Sequence, residues 1–292
     1  MPYLHVQPLQ LASLVIDPPL LNASGAVDLL AADPDWSADA ATLTPLGAYV
    51  TKTLTYKLRK GNPQPWVELA GDGSLFNAVG LANLGLDAVR AGAWDQLAAL
   101  LDCPIVLSIG GSSGELVELA RLADELPWVA AIELNLSCPN TETAMQAASP
   151  SLARDAVAAV RAVTSLPLLA KLTGASDIVS VARAVESAGA DAVVAINSMP
   201  ARALDSSGKP LLGTANCGLT GAAIYEISLR CVADVAAAVM IPVIAVGGIS
   251  SPAAARNMFA AGAAAVGVGS AAALHPGVFA QIAEVLAKPP QH

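Results

Sequence analysis

Residues 132–140 read I-E-L-N-L-S-C-P-N, an apolar strand ending in two amides, a hydroxyl and a thiol. Such groups are costly to bury unpaired, so a strand that delivers them at its carboxyl end presents them to a ligand. A thiol there can carry a proton, and Asn135 and Asn140 beside it can orient a polar substrate. Taken alone, Cys138 also fits a small buried hydrophobe; the flanking amides and Pro139, which stops the strand, favour chemistry. Two lysines inside otherwise apolar strands, in Val50-Thr51-Lys52-Thr53 and Ala170-Lys171-Leu172, are a second anomaly. An inward ammonium needs an anion, and neither strand carries an acid; the alternative is that each lysine reaches out to the rim.

These groups need a scaffold that gathers strand ends. Eight short apolar runs, at 20–24, 49–54, 105–110, 131–136, 168–173, 192–197, 243–247 and 265–269, are each followed by Gly, Ser, Thr or Asn and then by an Ala-rich stretch. The alternation predicts an α/β fold with a parallel sheet, and eight strands close a single (β/α)8 TIM barrel with its chemistry at the carboxyl ends. Helical spacing is plain in 115–126, where Leu116, Leu119, Ala120 and Ala123 share a face, and recurs in 151–163, 178–188 and 252–261. Segments 55–85 and 199–220 are too long for simple connections and read as inserted loop or strand excursions at the C-terminal face. No polar linker divides the 292 residues, so one domain spanning 1–292 is expected.

Composition narrows the function. A net charge of −9 and a pI near 4.7 disfavour nucleic acid and anionic membrane surfaces as partners. No apolar run reaches the roughly 18 residues of a membrane span, and residues 1–10 lack a basic region followed by an apolar one, so a soluble, unprocessed cytoplasmic chain is expected. Cysteines 103, 138, 217 and 231 form no C-x-x-C and no histidine-linked spacing, which argues against zinc, an iron-sulfur cluster or disulfides. Of three histidines, His5 and His292 are near the termini and His275 is expected at the surface.

The last two strands end in Gly247-Gly248 and Gly269-Ser270, where bare backbone N–H groups can face a phosphate. Gly218-Leu219-Thr220-Gly221 is expected to open the helix before the seventh strand, as a third phosphate contact or as a plain cap. A phosphate clamp, two strand cations and an array of amides describe a flat phosphorylated cofactor, and flavin mononucleotide (FMN) fits. The same residues leave open a non-redox, phosphate-binding barrel isomerase or lyase, with Lys52 and Lys171 binding a sugar phosphate or forming a Schiff base.

Asn22-Ala23-Ser24-Gly25, Val50-Thr51-Lys52-Thr53-Leu54-Thr55, Gly61-Asn62-Pro63-Gln64-Pro65, Asn77-Ala78-Val79-Gly80-Leu81-Ala82-Asn83 and Asn135-Leu136-Ser137-Cys138-Pro139-Asn140 together resemble the dihydroorotate dehydrogenase family. The match runs on through Lys171, Asn197-Ser198, Gly247-Gly248 and Gly269-Ser270, nearly the whole chain. Cysteine at 138 resembles the soluble class 1 enzymes, the membrane-linked class having serine there. The resemblance implies oxidation of (S)-dihydroorotate to orotate in pyrimidine biosynthesis. Cys138 would take a proton from C5 while hydride leaves C6 for the flavin N5. Asn77, Asn135, Asn140, Asn197 and Ser198 would bind the pyrimidine edge, and the backbone N–H groups of Val79, Gly80 and Leu81 the carboxylate. Lys52 would lie between flavin and substrate, and Lys171 would neutralise charge on the reduced flavin. Ala23, Ser24 and Thr53, with Asn135, would flank the flavin; Gly221, Gly247, Gly248, Gly269 and Ser270 would hold its phosphate.

Four positions depart from the pattern. Trp66 stands where arginine is expected, Thr-Glu-Thr-Ala-Met-Gln follows Asn140 in place of a glycine-rich stretch, Val246 replaces a cysteine, and Ser108-Ile109-Gly110 lacks an asparagine. They leave the subclass open: a homodimer that reduces fumarate, or a subunit that passes electrons to NAD through an iron-sulfur flavoprotein. The amide set also suits another dihydropyrimidine such as dihydrouracil; the carboxylate loop favours orotate.

Overall fold

The computed structural model describes residues 6–29, 40–136 and 149–286. A hairpin of β1 (Leu9–Leu11) and β2 (Leu14–Ile16) precedes β3 (Leu20–Asn22) and β4 (Tyr49–Val50). An antiparallel pair follows, β5 (Val67–Leu69) and β6 (Ser74–Asn77). Next come β7 (Ile105–Ile109), β8 (Val129–Asn135), β9 (Leu168–Leu172) and β10 (Ala192–Ala195), then β11 (Met199–Arg202) and β12 (Asn216–Gly221), and last β13 (Val243–Val246) and β14 (Ala265–Val268).

Eight of these strands form one sheet in the order β3-β14-β13-β10-β9-β8-β7-β4, with every ladder parallel. They are the eight strands expected from sequence. The second is shorter than expected, with only Tyr49 and Val50 in the ladder, although Leu54 still bridges Ile109. The sheet closes between β3 and β4 through the Leu21–Ala48 bridge and a hydrogen bond from the Gly47 N–H to the Leu20 carbonyl at 2.9 Å. Asn22 supplies the next rung: its Nδ2 donates to the Val50 carbonyl at 2.8 Å and its Oδ1 accepts from the Val50 N–H at 2.7 Å. Tyr49 and Thr51 give their N–H groups to Pro104 and Val106 on the other side, so Val50 faces β3 and a side-chain amide replaces the missing backbone partner. The result is the (β/α)8 TIM barrel.

Side chains alternate across each strand, and that period of two sorts the interior. Ile132, Leu134, Leu168, Ala170 and Leu172 pack outward with the helices. Leu21, Val50, Val106, Ala131, Leu169, Val194 and Ile244 meet inside, joined by Leu9, Leu11, Leu14 and Ile16 of the hairpin. Two residues further along their strands stand Lys52, Ser108, Glu133 and Lys171, so the interior turns from apolar to polar toward the carboxyl ends. Local chemistry starts the outer helices: Ser112 and Glu115 form a capping box for Ser113–Glu125, while Ser149, Asp177 and Ser251 cap Pro150–Arg161, Ile178–Ser187 and Pro252–Ala260.

The two long excursions meet in a second, antiparallel sheet ordered β11-β12-β6-β5. This corrects one expectation: Gly218 to Gly221 lie inside β12, and the helix Tyr225–Ala236 begins only after the short turn Ala222–Ile224. The cause is β6, a partner about 140 residues away by register, which local pattern cannot reveal. No helix among the described residues is long and apolar enough to cross a membrane.

Candidate active site

A cavity of about 520 Å³ opens at the carboxyl ends of the barrel strands, a volume suited to a small-molecule ligand. Asn135 and Lys171 line it from the strands, and Ala23, Ser24, Lys52, Thr53, Asn197 and Ser198 from the segments just after them. Asn77 comes from β6, with Val79, Gly80 and Leu81 from the loop beyond it. Gly221 at the end of β12, with Gly247, Gly248, Gly269 and Ser270 just past the last two strands, completes the lining. Cys138 and Asn140 lie outside the described residues, as does the segment after Asn140.

The polar floor is one connected network. Asn197 Nδ2 donates to Asn135 Oδ1 at 3.2 Å, and Asn135 Nδ2 donates to Thr53 Oγ1 at 3.0 Å. Thr53 also meets the hydroxyls of Ser24 at 3.2 Å and Ser108 at 3.0 Å, and Ser108 donates to Glu133 Oε1 at 3.1 Å. Glu133 in turn lies 3.6 Å from Lys171 Nζ, the two side chains being 3% and 5% exposed. Fixing each amide by its neighbour sets which way its remaining donors and acceptors point.

Each cavity lysine has the carboxylate that an inward ammonium needs, supplied from another element. Neither strand carries its own acid, but Glu133 reaches Lys171 from the adjacent strand and Asp28, beyond β3, lies 3.7 Å from Lys52. Lys171 does not extend to the rim. Burial, and then the Asp28 charge, push the Tyr49 phenol up from its ordinary value; the hydroxyl stays protonated and donates to the Val27 carbonyl at 3.2 Å.

The loop after β6 turns through two left-handed residues, Gly80 at φ 74° and Leu81 at φ 57°. Asn62 braces the loop: its N–H donates to the Val79 carbonyl at 3.0 Å and its Nδ2 to Ala78 at 2.9 Å. Asn83 braces the far side by donating to the Leu81 carbonyl at 2.7 Å. No acceptor among the described residues takes the N–H groups of Val79, Gly80 or Leu81, so consecutive donors are left for an anion. At the other end, Gly248 has φ 72°, and a Cβ there would stand 2.7 Å from the Tyr225 Cα. Packing thus demands glycine, and the bare backbone that results borders the cavity. Ser270 shares a 2.8 Å hydrogen bond with Thr220, tying the last strand to the excursion sheet.

Several partners escaped the sequence reading. Glu133 is spelled out inside I-E-L-N, and stepping back two residues from Asn135 would have turned it inward. Ser108, treated only as a departure, holds Glu133 and Thr53 together. Trp66, which stands where arginine is expected, lines the cavity with its Nε1 donating to the Asn62 carbonyl at 2.6 Å. Asp28 had no local signal, and the Asn22-Ala23-Ser24-Gly25 motif gives none of the pairing of Asn22 with Val50.

The dihydroorotate dehydrogenase family model matches residues 9–289. A Pelobacter propionicus protein named dihydroorotate dehydrogenase B (NAD(+)), catalytic subunit, is 39% identical over 278 residues, covering 94% of this chain and 90% of that protein. A Lacticaseibacillus paracasei protein named dihydroorotate dehydrogenase A (fumarate) is 40% identical over 269 residues, covering 90% and 91%. The crystal structure of DHODH in complex with ferulenol from Eimeria tenella aligns with a TM-score of 0.80 at 20% identity, over 98% of this chain and 86% of that one, a likeness of fold. Barrel, cavity and sequence agree: the chain belongs to the dihydroorotate dehydrogenase family of oxidoreductases, class 1.

Proposed function

We propose that the chain, as one barrel domain over 1–292, oxidises (S)-dihydroorotate to orotate with bound FMN, in cytoplasmic pyrimidine biosynthesis. One observation carries this reading: in a chain of this family, Asn77, Asn135 and Asn197, both lysines and the glycine ends of the last two strands border a single cavity. The donor set suits FMN. Gly247, Gly248, Gly269 and Ser270, with Gly221, offer a phosphate backbone N–H groups and a hydroxyl, and Ala23, Ser24, Thr53 and Asn135 border the space for a flat ring. When bound, FMN supplies the acceptor for the hydride that leaves C6.

The protein's own residues supply the rest. Cys138 takes the C5 proton, so the C5–H and C6–H bonds give way to the C5=C6 double bond. Asn77, Asn135, Asn140, Asn197 and Ser198 hold the ring through its amide edge. The backbone N–H groups of Val79, Gly80 and Leu81 hold the carboxylate, which dihydrouracil lacks. Lys52 orients substrate against cofactor, and Lys171 offsets negative charge as it develops. A homodimer serves a fumarate-linked enzyme; an NAD-linked one needs an iron-sulfur flavoprotein subunit, since the chain lacks cluster cysteines.

The test is substrate choice. Supplied with (S)-dihydroorotate and an artificial electron acceptor, the purified protein should form orotate, read by its ultraviolet absorbance, and leave dihydrouracil untouched. Preferential oxidation of dihydrouracil would overturn the assignment, and failure to oxidise either would count against the redox reading.

A further inference from the structure

Glu133 stands behind the cavity. Its side chain is 3% exposed and does not line the cavity wall, yet its Oε1 accepts from Ser108 at 3.1 Å and lies 3.6 Å from the Lys171 ammonium. Burying a carboxylate is costly, and an apolar side chain of similar size at such a strand position generally packs with less penalty. The register explains what the acid does: Glu133 and Asn135 point inward from the same strand, and Asn135 pairs across the ladder with Lys171. Ser108 and Thr53 then connect the carboxylate to Asn135 and Asn197. One buried anion thus anchors both the cavity cation and the amides beside it.

We propose that Glu133 is a positioning residue for the redox reaction. It holds the Lys171 ammonium at the cavity floor and moderates the positive charge that Lys171 presents to a flavin on reduction. In a low-dielectric cavity an uncompensated ammonium strongly favours a negatively charged neighbour, whereas an ammonium with an anion 3.6 Å behind it presents a weaker, directed field. The pair therefore sets how readily the bound cofactor is reduced. This inference rests on the FMN reading above.

The experiment is a spectroelectrochemical titration of the FMN-loaded protein and its variants at one pH. Glu133→Gln keeps an acceptor for Ser108 and removes the charge. The reduced flavin should then be favoured at least tenfold over the oxidised form, a rise in midpoint potential of about 30 mV for a two-electron couple. Glu133→Asp keeps the charge but withdraws it by one methylene, and its potential should fall between those of the wild type and the Gln variant. A merely structural role would lower FMN occupancy or thermal stability without moving the potential of the flavin that remains bound. An unshifted or lowered potential in Glu133→Gln overturns the proposal; should that variant not fold, an unshifted Glu133→Asp overturns it alone. A wild type that takes up no FMN on reconstitution defeats the cofactor reading and this inference with it. A wild type with a measurable potential that neither variant moves defeats this inference only.

Discussion

Replacing Asn22 with alanine tests how the barrel is closed. The side chain is 1% exposed and makes two hydrogen bonds to Val50, donating to its carbonyl and accepting from its N–H, besides a long one of 3.5 Å to the Ala23 carbonyl. Val50 turns both groups toward β3, so truncation leaves a buried backbone donor and a buried acceptor without their partner. At about 1–3 kcal/mol for each unsatisfied group, the loss is roughly 2–6 kcal/mol, with about 4 as the working figure. That is a large share of the ~5–15 kcal/mol that holds a typical domain together. At about 2–4 °C per kcal/mol, Tm should fall by roughly 8–16 °C. The seam also carries function, because Ser24 crosses it to donate to the Thr51 carbonyl at 2.9 Å. FMN affinity should therefore weaken along with stability. Differential scanning calorimetry with and without FMN reads both effects. A Tm within about 2 °C of wild type would mean that the amide is not the closing rung, since even one lost hydrogen bond at about 1 kcal/mol accounts for that much.

Other consequences follow from the same geometry. Lys171→Met leaves Glu133 buried beside Ser108 and should cost about 3–5 kcal/mol, whereas Lys171→Met with Glu133→Leu should recover most of it; additive losses in urea titrations would refute the pairing. Gly248→Ala forces a Cβ to within 2.7 Å of the Tyr225 Cα and should lower stability by about 1–3 kcal/mol and FMN affinity with it; unchanged FMN titration of the apoprotein would show that the turn does not depend on glycine. Burial pushes the Cys103 thiol up to about 11, and also raises Cys217 and Cys231. Iodoacetamide at neutral pH should accordingly modify these three thiols slowly, and early label on any of them by mass spectrometry would contradict it. Because Cys103 ionises later folded than unfolded, its contribution to stability is complete below the ordinary thiol value of 9.0 and fades as pH rises toward 11, so Cys103→Ala should flatten the alkaline fall in Tm.

The barrel was legible because its signals are local. Each strand is a short apolar run with its own terminator, and helices such as Ile178–Ser187 carry a cap and an apolar stripe. Asn135, Lys52 and Lys171 stood out for a related reason, being polar types in apolar strands. What escaped was set by distant partners. β12 reads as loop and cap until β6 pairs with it, and Asn22 reads as a polar strand end facing a ligand until Val50 arrives beside it. Glu133 is hidden by a different cause: the polar end of the strand draws the eye to Asn135, while the acid two residues earlier is turned inward by the same alternation. The β1–β2 hairpin is missing from the sequence expectations too, because two three-residue strands are too short to stand out although Leu9, Leu11, Leu14 and Ile16 alternate.

The most direct test of the central claim is an anaerobic visible spectrum of the FMN-loaded protein before and after (S)-dihydroorotate. If dihydroorotate reduces the flavin here, its blue-absorbing band bleaches within the mixing time of an ordinary assay as orotate appears in equal amount, and Cys138→Ala retains the band without bleaching. A wild-type band that persists in excess (S)-dihydroorotate, or a Cys138→Ala protein that bleaches as fast as wild type, would contradict it.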